Sequence, residues 1–193
     1  KFRLTADGEI GLGGANYGSD GQVLTSAGAG AAAAWETVAG GLTGKVEGTD
    51  FTDSLIVGHS TTGTLDAATK NTAVGIDTMN AITTGDKNTC VGFDSGGQLT
   101  VGEFNTYIGA EVGVYNAEGD SNTGVGRLAL YYNNEGSHNT AVGAQSLAAN
   151  GAFASNSAFG RYALRLVTDG NYNIGVGRDA GDNITTGSGN III

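Results

Sequence analysis

The sequence predicts an all-β solenoid, or β-roll, wound in coils of 17 residues. A motif of the form Asn-Thr-x-Val-Gly recurs without insertion or deletion, and its asparagines are Asn71, Asn88, Asn105, Asn122, Asn139, Asn156, Asn173 and Asn190. A unit of 17 residues is too short for a pair of packed helices. We therefore expect one turn of chain per unit, with each short strand pairing in parallel with the next, ~4.8 Å away.

The repeat divides the chain into two segments. Residues 1–53 lie outside the 17-residue frame, and we interpret them as an N-terminal connector of β and irregular structure with short strands at Lys1–Leu4 and Gln22–Thr25. Residues 54–193 form the predicted solenoid, eight repeats and the start of a ninth, with Ser54 in place of the first asparagine. Trp35, the only tryptophan, is expected to take part in a contact between subunits.

Composition limits the classes of partner. The net charge is −10, so the chain has no electrostatic drive toward nucleic acid or an anionic membrane. No run of 18 apolar residues occurs, and membrane insertion is not expected. Cys90 is the only cysteine, which excludes an intrachain disulfide and predicts a small, buried core residue.

We number the positions of each unit from its asparagine. Position 4 is Val, Ile or Phe in every unit from Val57 to Val176, and we expect it to point into the core because an exposed stripe of this length favours aggregation. Position 5 is always glycine, from Gly58 to Gly177. This pattern fits a corner with positive φ, or a close approach of neighbouring backbones.

The asparagines at position 1 predict a structural ladder. Stacked amides can donate hydrogen bonds from coil to coil along the axis of a solenoid. Alternatively, each asparagine caps a turn in its own coil. Both interpretations are structural, and neither makes position 1 a ligand site.

The small side chains expected in the core favour an oligomer. Positions 3 and 8 are mostly small, which leaves too little bulk for a well-filled core in one chain. A very flat coil is one remedy, and burial of one face against two identical chains is the other, which would also cover coil edges. We therefore expect a homotrimeric fibre.

Three units, 71–87, 88–104 and 139–155, resemble the NTAVG-type repeats of bacteriophage tail-fibre proteins. The pattern is also similar to the head repeats of trimeric autotransporter adhesins, which form trimeric β-rolls. The segment Gly18–Ser26, followed by Gly28, Gly30 and Trp35, is similar to a Gly-Gln-Val-Leu-Thr stretch common in phage fibres. Ser54, Phe153 and Ile174 depart from the repeat pattern, and we expect the coil to differ in shape locally at these residues.

The resemblance implies a structural protein of the virion, a tail fibre that projects outside the cell and contributes to host attachment. Its implied partners are two identical chains, other fibre or tail proteins of the virion, and a host-surface receptor such as a polysaccharide. A head domain of a bacterial trimeric adhesin is the alternative. A second alternative is an ice-binding or carbohydrate-binding solenoid.

The sequence predicts no catalytic residue, cofactor or metal. Acidic residues recur at position 7 (Asp77, Asp94, Glu111) and position 16 (Asp86, Glu103, Asp120). A solvated acidic face is the ordinary interpretation, since the closely spaced aspartates of calcium-binding β-rolls are missing. A ladder of equivalent acids lacks the asymmetric pair that a glycosidase needs, so we do not expect an enzyme.

Two further surfaces remain as hypotheses. Tyr115, Tyr131 and Tyr132 are candidate receptor contacts, because exposed tyrosines can stack on sugars, although packing at a subunit interface is an alternative. The threonines of position 2 form a file such as ice-binding solenoids display. They share the face of the valines at position 4, so we expect them to be buried or half-buried.

Overall fold

The computed structural model describes residues 2–4, 10–12, 22–25, 34–37, 44–48, 51–58, 67–149 and 151–193, with side chains described from residue 54 onward. All its regular elements are strands. They are β1 (Phe2–Leu4), β2 (Ile10–Leu12), β3 (Gln22–Thr25), β4 (Ala34–Thr37), β5 (Gly44–Gly48), β6 (Phe51–Val57), β7 (Ala68–Thr69), β8 (Thr72–Val74), β9 (Thr89–Val91), β10 (Thr106–Ile108), β11 (Thr123–Val125), β12 (Thr140–Val142), β13 (Ser157–Phe159), β14 (Ile174–Val176) and β15 (Ile191–Ile192).

The first compact unit, Lys1–Leu42, contains two antiparallel pairs. Strand β1 pairs with β2, and β3 pairs with β4, where Trp35 lies opposite Leu24. Strands β1 and β3 confirm the two strands predicted here. The expected contact of the Trp35 side chain with another subunit lies outside the described residues.

The second unit, Thr43–Ile193, is the solenoid. Strand β5 pairs antiparallel with β6, and from β6 to β15 successive coils pair in parallel with an offset of 17 residues, as in Thr72 opposite Thr89. The predicted all-β solenoid of about eight 17-residue turns is confirmed. The same offset relates Phe51 to Ala68, so coil pairing begins three residues before the predicted start at residue 54.

Hydrogen bonds join successive coils around most of their circumference. Beside the strands, the Thr89 amide donates to the Asn105 carbonyl at 2.8 Å. In the turns, the Asp94 amide donates to the Ile76 carbonyl at 2.9 Å. Because turn residues are bonded as well as strand residues, each coil is held to its neighbours on more than one side.

Position 5 behaves as the sequence predicts. The glycines there have φ between +114° and +142°. They also approach one another closely, since a Cβ on Gly92 would lie 2.2 Å from the Gly109 carbonyl oxygen. Both conditions exclude a larger residue.

The prediction that position 4 points into the core is wrong. Position 3 points inward, and Ala73, Cys90 and Tyr107 are fully buried, whereas the residues flanking them in each strand point outward. Six of the eight side chains at position 4 are 36–43% exposed. Side chains alternate along a strand, so a three-residue strand with one inward side chain must direct both neighbours outward.

The premise that one chain cannot fill its own core is also wrong. Positions 9 and 12 supply the bulk from the opposite wall, through fully buried side chains such as Met79, Ile82, Leu99, Leu130 and Leu147. The two walls are complementary. Four coils with a small residue at position 3 carry a large one at position 9, namely Ala73 with Met79, Gly124 with Leu130, Ala141 with Leu147 and Ala158 with Leu164. In the coil that begins at Asn173 both positions are glycine, and Leu164 of the preceding coil lies against them.

In coils with a larger residue at position 3, the residue at position 9 is glycine. Tyr107 shares its coil with Gly113, and a Cβ on Gly113 would lie 2.6 Å from the Tyr107 ring. Cys90 shares its coil with Gly96, where a Cβ would lie 2.8 Å from Sγ. The Tyr107 hydroxyl contacts Asn116 at position 12, where the coils of Ile82, Leu99 and Val167 have an apolar side chain. The core of the solenoid is therefore closed within one chain.

Candidate functional site

The asparagines of position 1 form a continuous column of hydrogen bonds. Asn88 is fully buried, and its Nδ2 donates to Asn71 Oδ1 at 3.1 Å and to the Gly102 carbonyl at 2.8 Å. Its Oδ1 accepts from the amide of Asn105 at 2.9 Å. The amide thus links adjacent coils and also closes its own coil. The two interpretations offered by the sequence, a ladder between coils and a cap within one coil, therefore both apply to this side chain.

The column extends over the described coils. The backbone amide of each asparagine from Asn88 to Asn190 donates to Oδ1 of the preceding one at 2.9–3.0 Å. Ser54 takes the same role, since its Oγ accepts from the Asn71 amide at 2.8 Å. These amides have their hydrogen-bonding capacity occupied by protein, which makes the ladder a structural feature.

A second ladder, which sequence analysis missed, lies at position 16. Asp86 Oδ1 accepts from the Thr69 amide at 2.6 Å, and Asp120 Oδ1 accepts from the Glu103 amide at 2.7 Å. Ser137 and Asn171 accept in the same way from the preceding coil. The signal was present, because position 16 has a side-chain oxygen in every unit except that of Ala154. Some acids assigned to a solvated face therefore have a structural role.

The acidic side chains at position 7 act on one another through their charges. Partial burial, followed by the charges of Asp77 and Glu111, raises the pKa of Asp94. The three carboxylates therefore repel one another in successive coils. Within the described residues, no group of three or more His, Cys, Asp or Glu side chains is arranged to hold a metal ion.

Cys90 lies in the core rather than at a reactive surface. It is fully buried, and burial raises the pKa of its thiol well above the usual range. Because the thiolate is the nucleophilic form, the buried thiol has no reactive character in the folded chain.

The three candidate receptor tyrosines form one cluster. The rings of Tyr115 and Tyr132 are nearly parallel, with centroids 5.1 Å apart, and the ring of Tyr131 meets both edge to face at 5.2 and 4.5 Å. Tyr132 is 44% exposed, whereas Tyr115 and Tyr131 are half-buried. Burial and a hydrogen bond with Tyr115 raise the pKa of Tyr131.

The outward residues at positions 2 and 4 form a second surface, which we call the outer strand face. Position 2 is Thr, Ser, Leu or Ile, and position 4 is Val, Ile or Phe. Neither position has a charged residue in any coil from Leu55 to Ile193. The threonines from Thr89 to Thr140 are half-buried, as predicted for position 2, whereas Thr72 is exposed. The reason given for that prediction was wrong, because the face they share with position 4 points outward. Because position 3 points inward, this face lies across the core from positions 9 to 12.

Comparisons with protein-family models, curated proteins and solved structures found no match for this chain. In the described part of the chain, no helix has the length and apolar character needed to cross a bilayer. The conclusions about function therefore rest on the two surfaces and on the repeat itself.

Proposed function

We propose that this chain is a structural and adhesive segment of a bacteriophage tail fibre, assembled as a homotrimer and displayed on the virion. The observation that supports it best is the outer strand face. In a chain of net charge −10, this face has no charge and presents half-exposed Val, Ile and Phe side chains in successive coils. Continuous exposed apolar patches of this kind are typical of association surfaces.

The dimensions of this face support burial between identical chains. Eight coils at ~4.8 Å give a stripe on the order of 38 Å long, and three residues at ~3.3 Å make it about 10 Å wide. That area alone is below the ~800 Å² per partner of a standard interface. In a trimer, the outward side chains beside the stripe, such as Ile76 and Phe93, would add apolar contact area.

The rod itself supports a fibre role. Its coils are bonded to one another by strands, turns and two side-chain ladders, with no insertion that would form an extended loop. In a trimer joined through the outer strand face, the tyrosine cluster would point away from the axis and meet a host-surface receptor. Other fibre or tail proteins of the virion would continue the rod. We do not propose an enzymatic activity.

The head of a bacterial trimeric adhesin would use the same architecture. The upstream segment Gly18–Ser26 favours a phage fibre, because adhesin heads do not usually contain the Gly-Gln-Val-Leu-Thr stretch.

An ice-binding solenoid is a second candidate, and one observation favours it. The valines of position 4 point outward, so the threonines beside them stand on an open, regular face instead of a buried one. If that face remains free in a monomer, it offers ranks of hydroxyl and methyl groups ~4.8 Å apart. Affinity of the purified monomer for ice would support this candidate over the fibre.

The native mass tests the proposed function. Light scattering at several concentrations should give three times the mass of the 19.3 kDa chain. Val142→Lys places a charge on the outer strand face and should yield folded monomers, whereas Thr84→Lys, at an exposed site outside that face, should remain trimeric. A wild-type chain that stays monomeric at all concentrations contradicts the proposal.

A further inference from the structure

Two columns of side chains flank the outer strand face, one on each side. The residue at position 17 comes two residues before a strand, as Phe104 does before β10, and the residue at position 6 comes two residues after it, as Ala110 does. We call the column at position 17, from residue 87 to 172, the entry edge. The column at position 6, from residue 93 to 178, is the exit edge. The side chains of both edges are exposed or half-buried.

The two edges alternate in size in opposite senses. Across β10, the entry edge has the large Phe104 and the exit edge has the small Ala110. Across β11, the entry edge has the small Ser121 and the exit edge has the large Arg127. The alternation continues across β12 and β13, where the pairs are His138 with Ala144 and Ser155 with Arg161. Each of these four strands is therefore flanked by one large and one small side chain.

Within one chain, this alternation has no role in packing. Phe104 and Ala110 lie on opposite sides of a face about 10 Å wide, too far apart to pack against each other. Contacts within the chain run along an edge instead, as between Lys87 Nζ and the Phe104 ring at 4.4 Å. The size complement between the two edges can therefore act only between chains.

The strands on either side of this run are flanked by a cation and an aromatic ring. Across β9, Lys87 is on the entry edge and Phe93 on the exit edge, whereas across β14 the ring of Tyr172 is on the entry edge and Arg178 on the exit edge. Phe93 and Tyr172 are 51% and 71% exposed, so both rings are accessible to a cation from another chain. Arg178 donates to Asp179 through Nε, a contact in the guanidinium plane that leaves its face able to stack.

A threefold axis along the solenoid would join unlike edges at the same level. Rotation about that axis places the entry edge of one chain against the exit edge of the next, without a shift along the axis. Phe104 would then meet Ala110 of the next chain, and Ser121 would meet Arg127. A shift of one coil would instead place His138 against Arg127, two large basic side chains. The same shift would leave a gap between Ser121 and Ala110.

We propose that the entry edge of one copy of this chain binds the exit edge of the next copy, strand by strand, and that this fit aligns three parallel chains without stagger. The inference rests on the proposed trimer and specifies how its chains are aligned. The two edges also widen an interface for which the outer strand face alone is too small. A staggered arrangement would lose the size complement and would not close into a ring.

A large residue placed on the exit edge tests the alignment. Ala110→Phe should fold normally, because Phe93 occupies the same position of the preceding coil, but its ring would meet Phe104 of the next chain. The protein concentration at which half of the trimer dissociates, measured by sedimentation of the full chain, should rise at least about tenfold, because the clash occurs at all three contacts. Adding Phe104→Ser, the residue type found at Ser121, should restore most of the loss.

His138→Ser is the matched control for that rescue. It removes a large side chain from the same edge two coils away, ~9.6 Å along the axis, and should not restore the trimer of the Ala110→Phe variant. Equal rescue by His138→Ser and Phe104→Ser would overturn the alignment. An Ala110→Phe trimer as tight as the wild type refutes the alignment alone, whereas a wild-type chain that is monomeric at every concentration overturns the trimer and the alignment together.

Discussion

At the scale of single residues, the buried amides at position 1 show how this sequence stabilises a narrow coil. An interior asparagine is costly unless its polar atoms are paired. Here each Oδ1 accepts from the next coil, and each Nδ2 of the central coils donates to the carbonyl that closes its own coil, as Asn105 does to Gly119 at 2.8 Å. Repetition at a fixed interval provides every acceptor with its donors, except at the ends of the column.

Loss of one central amide should therefore be expensive. Asn88→Ala leaves the Asn105 amide and the Gly102 carbonyl without their partners, and we expect the free energy of unfolding to fall by about 3 kcal/mol. Chemical denaturation followed by circular dichroism measures this change.

Thr84→Ala is the control for that measurement, because Thr84 is exposed and its substitution should alter stability by less than about 0.5 kcal/mol. An Asn88→Ala variant as stable as this control would show that the ladder contributes little to folding.

At the scale of the coil, the core depends on pairing between positions 3 and 9. In the coils from 71 to 172, a large side chain on one wall meets a small residue on the other. The residue at position 9 has positive φ in either case, as in Leu147 at +46° and Gly113 at +56°. The backbone of the two kinds of coil is thus alike. The two kinds of coil differ in whether the large core side chain comes from position 3 or from position 9.

Because the residues at positions 3 and 9 are complementary in size, a coil with its large side chain at position 3 should be convertible into one with its large side chain at position 9. Tyr107→Ala alone should cost about 4 kcal/mol, because it leaves a cavity opposite Gly113. Adding Gly113→Leu refills the space in the manner of Ala141 and Leu147, and we expect the double variant to regain most of the lost stability.

Gly113→Leu alone should be strongly destabilising, since its side chain would collide with the Tyr107 ring. Thermal unfolding of the three variants forms a double-mutant cycle. Additive effects of the two substitutions would contradict the complement.

The sequence predicted the coil better than the direction of its side chains. The spacing of Asn71 and its equivalents was sufficient for the fold class, and Gly92 and its equivalents were sufficient for the corner, because the same residue type recurs at the same position of each unit. The direction of Val74 was predicted wrongly. Alternation fixes which residues share a face, but not which face is inward.

The remaining errors have a related cause. The small residues at position 3 were taken as evidence for an underfilled core because the contribution of positions 9 and 12 depends on where the turns place them. Tyr115 and Tyr132 both lie at position 11 of their coils, and the structure brings their rings together.

At the scale of the whole molecule, the two surfaces have different properties. The outer strand face is uncharged and regular from coil to coil, as expected for a surface that meets identical copies of itself. The opposite face varies from coil to coil, with tyrosines, alanines and an arginine in successive units. A regular outer strand face and a variable opposite face suit a fibre that assembles through the first and recognises its target through the second.

The distance between equivalent residues of different chains tests this account most directly. In a Cys90→Ala background, a spin label at Thr123→Cys on the outer strand face should report label separations near the ~10 Å between packed sheets. The same label at Gln98→Cys, on the opposite face, should report separations at least twice as long. Long distances or none from the label at position 123, combined with short ones from position 98, would contradict assembly through the outer strand face.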